Sequence, residues 1–216
     1  MPDRHDGRQR TGGADPSGVA AWSDEALVQR AREGDLDAFT ALVERYQVAV
    51  YNLCLRLTNQ PADAADAAQE VFLRVYTNLR RFQGRGPFRS WVYRIAVNTC
   101  RDELRRRRRR PVPALAPPGP DAHPLPAGDD GDPARAVVGR EVQAAIQDAL
   151  GRLPEVFRTV VVLRDVEGLS YEEVAAVLGV SIGTVKSRVH RGRVMLRDWL
   201  AAAGWLAGRG KGGDGP

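Results

Sequence analysis

Arginine is the side chain that recurs wherever this sequence has residues suited to chemistry. The chain carries 32 Lys and Arg against 27 Asp and Glu, so its formal net charge is only +5, but the basic residues are concentrated in two places. Arg105 to Arg110 is an unbroken run of six arginines, and a second cluster lies between Arg188 and Arg197. Such clusters indicate contact with a polyanion, although the run of six, taken alone, is as often a solvated tract.

Residue types for covalent catalysis or metal binding are sparse. The chain has three histidines, and its two cysteines, Cys54 and Cys100, lack the spacing of a zinc site or a disulfide framework. No nucleophile with a base and an orienting group, and no glycine-rich phosphate loop, is recognisable. We therefore expect a protein that is not an enzyme and needs no cofactor or metal.

Membrane insertion is also not expected. No apolar run approaches the roughly 20 residues that span a bilayer, and the N-terminus lacks the apolar core of a signal peptide. These features predict a cytoplasmic protein.

A helix-turn-helix is predicted by the stretch LSYEEVAAVLGVSIGTVKSRVHRGRVML. Ser170 and Glu173 have the spacing of a capping box, which begins a first helix. Gly179 ends that helix in a tight corner, and Ser181 caps the next one.

The second helix of this motif has a small, polar and cationic outer face. An ordinary helical corner with a solvated basic face is the alternative, and for a single helix pair it is at least as common. Here the exposed N-terminal half of the helix carries small side chains, so its backbone can approach base edges in the major groove while arginines reach phosphates. The sequence therefore predicts DNA recognition by Ser181, Gly183, Thr184, Lys186, Ser187, Arg188, His190 and Arg191.

A second cationic surface precedes the run of arginines. One side of a predicted helix carries Arg94, Asn98, Arg101 and Arg105, and the loop before it carries Phe82, Arg85, Phe88 and Arg89. Cations suit a nucleic-acid backbone, and aromatic rings can stack on unpaired bases. Trp91 and Tyr93 are equally consistent with a core position, which we favour for Trp91.

An acidic group lies on the outer face of another predicted helix. Asp63, Asp66 and Glu70 would repel DNA and are better suited to a basic protein surface. Simple solubility is the alternative explanation.

These residues require a scaffold of helices in two domains. Apolar residues recur at three- and four-residue steps, for example Ala68, Phe72, Val75 and Leu79, and later Val138, Val142, Ala145, Ile146 and Ala149. The segment VVVL at 160–163 resembles a strand, but no hairpin partner follows, so we interpret it as a buried helix face. The predicted fold is all-α, with two small helical domains at 22–110 and 135–203, a flexible Pro/Gly/Asp-rich linker at 111–134, and disordered tails at 1–21 and 204–216.

Two long segments resemble an extracytoplasmic-function (group 4) sigma factor of the sigma-70 family. DAADAAQEVFLRVYTNLRRF followed by FRSWVYRIAVNTCRDELRRRRR is similar to sigma region 2, and LPEVFRTVVVLRDVEGLSYEEVAAVLGVSIGTVKSRVHRGRVML is similar to region 4. The resemblance covers Trp22 to about Leu200. It implies a subunit that directs bacterial core RNA polymerase to specific promoters and initiates transcription, in response to stress or envelope signals and under the control of an anti-sigma factor.

The resemblance also implies a role for each group of residues. Asp63, Asp66, Gln69 and Glu70 would dock on the clamp helices of the β′ subunit, and region 4 would contact the β flap. Arg85, Phe88, Arg89, Arg94, Asn98 and Arg101 would contact minus-ten DNA, with the loop Arg81 to Arg89 as the pocket for a flipped base. The helix-turn-helix residues would read the minus-thirty-five element. Asp129, Asp130 and Asp132 would lie in the polymerase channel.

The chain departs from the wider family in two respects. It has no room for an N-terminal inhibitory region or a region 3 domain, and its aromatic set for melting DNA is thin. These departures predict narrow promoter choice. The alternative function is a stand-alone helix-turn-helix transcriptional regulator that binds a palindrome as a dimer.

Overall fold

The computed structural model describes residues 22–109 and 133–205, and for residues 133–141 it describes the backbone alone. Residues 1–21, 110–132 and 206–216, which hold most of the predicted tails and linker together with Asp129, Asp130 and Asp132, lie outside this description. Within the described ranges every regular element is helical, which confirms the predicted all-α class. The helices are α1 (Asp24–Arg32), α2 (Leu36–Thr58), α3 (Pro61–Asn78), α4 (Phe88–Arg109), α5 (Pro133–Arg152), α6 (Glu155–Val161), α7 (Tyr171–Leu178) and α8 (Ile182–Ala202), with a 3-10 turn (Leu79–Arg81) and a π-helical turn (Val162–Val166).

Two side-chain caps fix the helices of the first compact unit, which ends at Arg45. Ser23 caps α1, because its hydroxyl accepts a hydrogen bond from the backbone N–H of Ala26 at 3.3 Å. Asp35 caps α2 by accepting from the N–H of Ala38 at 3.1 Å. Both caps satisfy N–H groups that have no partner within the helix, and serine and aspartate are among the residues preferred at this position.

The second compact unit begins at Tyr46 and contains the rest of α2 and all later helices. Helix α3 packs against α4, but its buried face is Ala64, Ala67, Val71 and Val75. The predicted members Ala68 and Phe72 are only half-buried. Val75 and Leu79 are buried as predicted, whereas Ala67 and Val71 take the core positions expected for Ala68 and Phe72.

The core around the helix-turn-helix comes from α6, the π-helical turn, α7 and α8. The segment 160–163 is buried and helical, as predicted. The predicted stripe on α5 is wrong at two positions, because Val142 and Ile146 are 39% and 41% exposed. The core therefore covers only the last turns of α5, where Ala149 and Leu150 are buried, and the apolar face of the helix extends beyond it.

Helices α4 and α7 pack against each other, so the two predicted domains are in contact. Helix α5 begins at Pro133, within the segment predicted as linker.

Candidate nucleic-acid interface

The turn between α7 and α8 is fixed by local hydrogen bonds and one glycine. The capping box is complete, since Ser170 Oγ accepts from the Glu173 N–H at 3.1 Å and the Glu173 carboxylate accepts from the Ser170 N–H at 2.8 Å. The bond from the Ser170 N–H is the main reason that the pKa of Glu173 is lowered. Gly179 ends α7 with φ 66°, a left-handed conformation that glycine adopts without strain. Ser181 caps α8 by accepting from the Thr184 N–H at 3.1 Å.

Helix α8 presents the predicted face to the exterior. Its inner side buries Val185, Val189 and Gly192. On the outer side Thr184 and Arg188 are half-buried and the other predicted residues are exposed: Ser181, Gly183, Lys186, Ser187, His190 and Arg191. An ideal Cβ at Gly183 would meet a single atom within 4 Å, Ser181 Oγ at 3.9 Å, so this part of the helix has a low profile. The geometry suits insertion into a major groove.

Neighbouring side chains orient α8. Arg193 makes a bidentate pair with Asp165, with Nε 2.9 Å from one carboxylate oxygen. Tyr171 holds two cations over its ring, Arg164 at 4.8 Å and Lys186 at 5.7 Å from the ring centroid. No local sequence pattern indicates that Asp165 and Tyr171 orient α8, because their partners lie on other elements.

The predicted surface on α4 is divided between exposed and paired residues. Arg94 and Asn98 are exposed. Arg101 is half-buried, and its Nε lies 3.7 Å from a carboxylate oxygen of Glu155. Arg89 donates to the backbone carbonyl of Glu167 and lies 3.7 Å from its carboxylate.

Phe88 lies in the core rather than at the surface. Its ring is 4% exposed and makes an edge contact with Tyr46, with the ring centroids 5.6 Å apart. Phe82 and Trp91, both half-buried, complete this aromatic cluster at 5.7 Å each from the Phe88 centroid. The buried ring of Phe88 therefore packs against Phe82 and Trp91, which are the aromatic side chains nearer the exterior.

A cavity of about 370 Å³ opens beside this cluster. It is lined by Phe82, Trp91 and the cations Arg81, Arg85 and Arg94, and also by Ala176 and Val177 of α7. Cations and aromatic faces together suit an unstacked base and its phosphates. No feature of the sequence indicates that Ala176 and Val177 contribute to this cavity, because the contribution depends on how α7 packs on α4.

The acidic group on α3 lines a second open cavity of about 450 Å³. Asp66, Gln69 and Glu70 contribute to it together with Arg74 of α3 and Asp102 of α4. Arg74 donates to Glu70 at 2.7 Å, and this bond is the main reason that the pKa of Arg74 is raised. The fourth predicted residue, Asp63, lies elsewhere in an ion pair with Arg107 at 2.9 Å.

Comparison with known proteins finds two matched regions in the chain. Residues 42–110 match the family model of Sigma-70 region 2, and residues 143–196 match that of Sigma-70, region 4. The RNA polymerase sigma-H factor of Pseudomonas aeruginosa is 40% identical over 176 residues, which cover 79% of this chain and 90% of that protein. The chain belongs to the extracytoplasmic-function sigma factors of the sigma-70 family.

A second sigma factor and a solved structure are also similar to this chain. ECF RNA polymerase sigma factor SigE of Mycolicibacterium smegmatis is 42% identical over 166 residues, which cover 77% of this chain but only 63% of SigE. Among solved structures, CnrH in complex with the cytosolic domain of CnrY superimposes with a TM-score of 0.62 at 30% identity, covering 83% of this chain and 97% of CnrH. Members of this family are transcription initiation factors.

The predicted site residues of this sigma factor fall inside the two matched regions. The acidic group and the α4 surface lie within region 2, and the outer face of α8 lies within region 4. In the described part of the chain no group of three or more His, Cys, Asp or Glu side chains is arranged to hold a metal ion.

None of the helices within residues 22–109 and 133–205 combines the length and the apolar character needed to cross a membrane.

Proposed function

We propose that this sigma factor binds bacterial core RNA polymerase and directs it to specific promoters by using two separate DNA-binding surfaces. The observation that carries the proposal is that each region has its own exposed cationic surface, on α4 in region 2 and on α8 in region 4. A duplex reader and a single-strand binder in one chain suit recognition of a promoter that is opened between two elements. The stand-alone regulator would need only the duplex-reading surface on α8.

The outer face of α8 is proposed to read the minus-thirty-five element. Its assigned residues are Ser181, Gly183, Thr184, Lys186, Ser187, Arg188, His190 and Arg191. The exposure of Lys186, Ser187 and Arg191 and the low profile at Gly183 support this assignment. The orientation of α8 by the Asp165 pair with Arg193 supports it further.

The surface on α4 and the cavity beside it are proposed to hold the minus-ten element. Arg94 and Asn98 are accessible for the backbone, and Arg85 lines the cavity. Because Phe88 is buried, we assign it to the support of the pocket and assign stacking on a flipped base to Phe82 and Trp91. Arg89 and Arg101 belong to the same surface, although both are paired with carboxylates.

Polymerase docking is proposed for the acidic cavity on α3. Asp66, Gln69 and Glu70 would meet a basic surface of the β′ clamp helices, with Asp63 at the edge of the contact. The open shape of the cavity and its carboxylates support such a contact. Region 4 would contact the β flap.

Other partners and properties follow from family membership. An anti-sigma factor is proposed to control this protein. The relative CnrH was solved in complex with another protein, the cytosolic domain of CnrY, which supports control by a protein partner. Action on polymerase implies a cytoplasmic location, and promoter opening driven by binding implies no covalent step. We assign residues 22–110 to the region 2 domain, 135–203 to the region 4 domain, and the part of 111–134 that precedes α5 to a linker that follows the polymerase channel.

The decisive experiment combines the purified protein with core RNA polymerase. We expect co-purification with core enzyme, and transcripts from a library of genomic fragments whose start sites require both proteins. Tight binding of the isolated chain to a palindromic operator, with no effect on polymerase, would instead establish the stand-alone regulator.

A charge-reversal pair tests the docking surface. Asp66→Lys combined with Glu70→Lys is expected to abolish retention by immobilised core polymerase and to leave the circular dichroism spectrum unchanged. Glu33→Lys combined with Glu44→Lys makes the same change in charge at two exposed positions and serves as the control. Equal retention of both variants would refute the docking assignment.

A further inference from the structure

The cavity beside the acidic group is a groove between two helices. Asp66 and Glu70 of α3 line one side of it, and Asp102 of α4, whose side chain is 59% exposed, lines the other. Ala67 and Thr99 also line it but are only 3% and 4% exposed, so they lie at its floor. We call this cavity the α3–α4 groove. A partner that docks on the acidic group therefore meets α4 as well as α3.

The hydroxyl of Thr99 is unsatisfied. Its Oγ1 is buried and has no hydrogen-bond partner within the described residues. A buried hydroxyl without a partner costs free energy, and valine would fill the same space without that cost. Threonine in a helix populates two χ1 rotamers, so its hydroxyl can turn toward a ligand in the groove. An unsatisfied hydroxyl at the floor of an open groove therefore indicates a polar ligand.

The charge of the groove selects a cation as that ligand. Six charged side chains line it, namely the carboxylates of Asp66, Glu70, Asp102 and Glu103 and the guanidiniums of Arg74 and Arg106. Glu103 pairs with Arg106, and Arg74 is shared between Glu70 and Asp102. Asp66 makes no ion pair within the described part of the chain. Two negative charges thus remain uncompensated, and they favour a positively charged group.

Arg74 shows that the width of the groove suits a guanidinium. Its Nε lies 2.7 Å from Glu70 Oε1 on α3, and its Nη1 lies 3.4 Å from Asp102 Oδ2 on α4. Carboxylates from both helices therefore reach one guanidinium group. The planar guanidinium makes several hydrogen bonds at once, whereas the ammonium of lysine is a compact point charge. An arginine side chain of a partner fits this arrangement better than a lysine.

We propose that the α3–α4 groove receives one arginine side chain from the polymerase surface on which this sigma factor docks. Carboxylates of both helices pair with the guanidinium, and the Thr99 hydroxyl accepts a hydrogen bond from it. Thr99 and Asp102 of α4 are thus specificity-determining residues for docking, in addition to the acidic group on α3. The inference rests on the proposed docking function of that group.

Substitutions of Thr99 in the full chain test the role of its hydroxyl. Thr99→Val should weaken binding to core polymerase by about two- to tenfold, because one hydrogen bond across the interface is lost. The free energy of unfolding of this variant should stay the same or rise, because an unsatisfied polar group leaves the interior. Thr99→Ser keeps the hydroxyl and should bind nearly as tightly as the wild type. Wild-type affinity of Thr99→Val would overturn the assignment, and a purely structural role of Thr99 would instead lower its stability.

An exposed charge gives a second test that does not disturb the core. Asp102→Asn keeps the size of the side chain and should weaken binding to core polymerase by about two- to fivefold, with a smaller effect at high salt. Asp37→Asn removes the same charge at an exposed position of α2 outside the groove and should leave the affinity nearly unchanged. Equal affinities of these two variants would contradict a contribution of α4 to docking.

The partner residue can be found by changing single arginines of the β′ clamp helices to lysine. With one of these polymerases Thr99→Val should cause no further loss of affinity, because the two changes remove the same hydrogen bond. The same loss with every one of them would overturn the proposal.

The charge-reversal variant Asp66→Lys, Glu70→Lys separates this inference from the docking assignment itself. If that variant loses binding while Thr99→Val and Asp102→Asn bind like the wild type, the acidic group docks on polymerase but the groove does not receive an arginine. If the charge-reversal variant still binds, the docking assignment fails and the inference fails with it.

Discussion

Gly192 offers a sharp test of how α8 is held in region 4. It lies on the inner face of α8, where an ideal Cβ would be 2.6 Å from Val161 Cγ2 and 3.4 Å from the Phe157 carbonyl oxygen. The first distance is far below a normal carbon contact. Val161 is 3% exposed and β-branched, so it has little freedom to rotate away. The Gly192→Ala substitution is therefore expected to force α8 away from α6.

The magnitude follows from two opposing effects. Overpacking a core by a methyl group costs about 1–3 kcal/mol, whereas replacing glycine by alanine within a helix contributes about 0.8–1.0 kcal/mol of stability. At Gly183, on the outer face of the same helix, the added methyl group meets only Ser181 Oγ at 3.9 Å, so only the favourable effect applies. The two variants should thus differ in free energy of unfolding by about 1–3 kcal/mol, with Gly183→Ala the more stable.

Urea denaturation of the full-length variants, followed by circular dichroism, measures this difference. A second measurement adds Val161→Ala, which removes the closest methyl group. In that background the cost of Gly192→Ala should fall by about 1 kcal/mol or more, because the two positions are in contact. If Gly192→Ala is as stable as Gly183→Ala, the close packing of α8 on α6 is not the native arrangement.

Two further predictions concern the caps and the recognition surface. The pKa of Glu173 is lowered from its ordinary value of 4.5, chiefly by the Ser170 N–H. The contribution of Glu173 to stability is therefore present above that pH and is lost as the pH falls through the lower pKa of the folded state. Glu173→Gln should reduce the difference in melting temperature between neutral and acidic solution, and an unchanged difference would contradict this. Arg191→Ala should weaken promoter binding by about 1–3 kcal/mol if Arg191 contacts a base, measured by holoenzyme affinity for a mapped promoter, whereas Arg197→Ala, which removes an exposed partner of Asp198, should have little effect.

Local patterns predicted the helix-turn-helix in detail. Its local features depend on residues within a few positions of one another: the caps at Ser170 and Ser181 and the left-handed conformation of Gly179. The local sequence is therefore enough to predict them. The outer face of α8 follows from helical periodicity in the same way. The individual DNA contacts of these residues stay a prediction.

Contacts between distant segments were not predictable in this way. The exposure of Val142 and Ile146 depends on where the core ends, and the burial of Phe88 depends on an aromatic cluster that spans Tyr46 to Trp91. Tyr93 is the clearest example. Periodicity left its position open, whereas in the structure burial, and next the hydrogen bond to Glu167, raise its pKa to about 12.

The contact between region 2 and region 4 includes charged side chains, and this affects how stable the contact is. An apolar interface of the same size would resist separation, because its residues gain nothing from water. A buried ion pair is different, since desolvation of both charges roughly cancels their attraction. The pairing of Glu167 with Arg56 and Arg89 therefore fixes the register of the contact more than it adds to its stability.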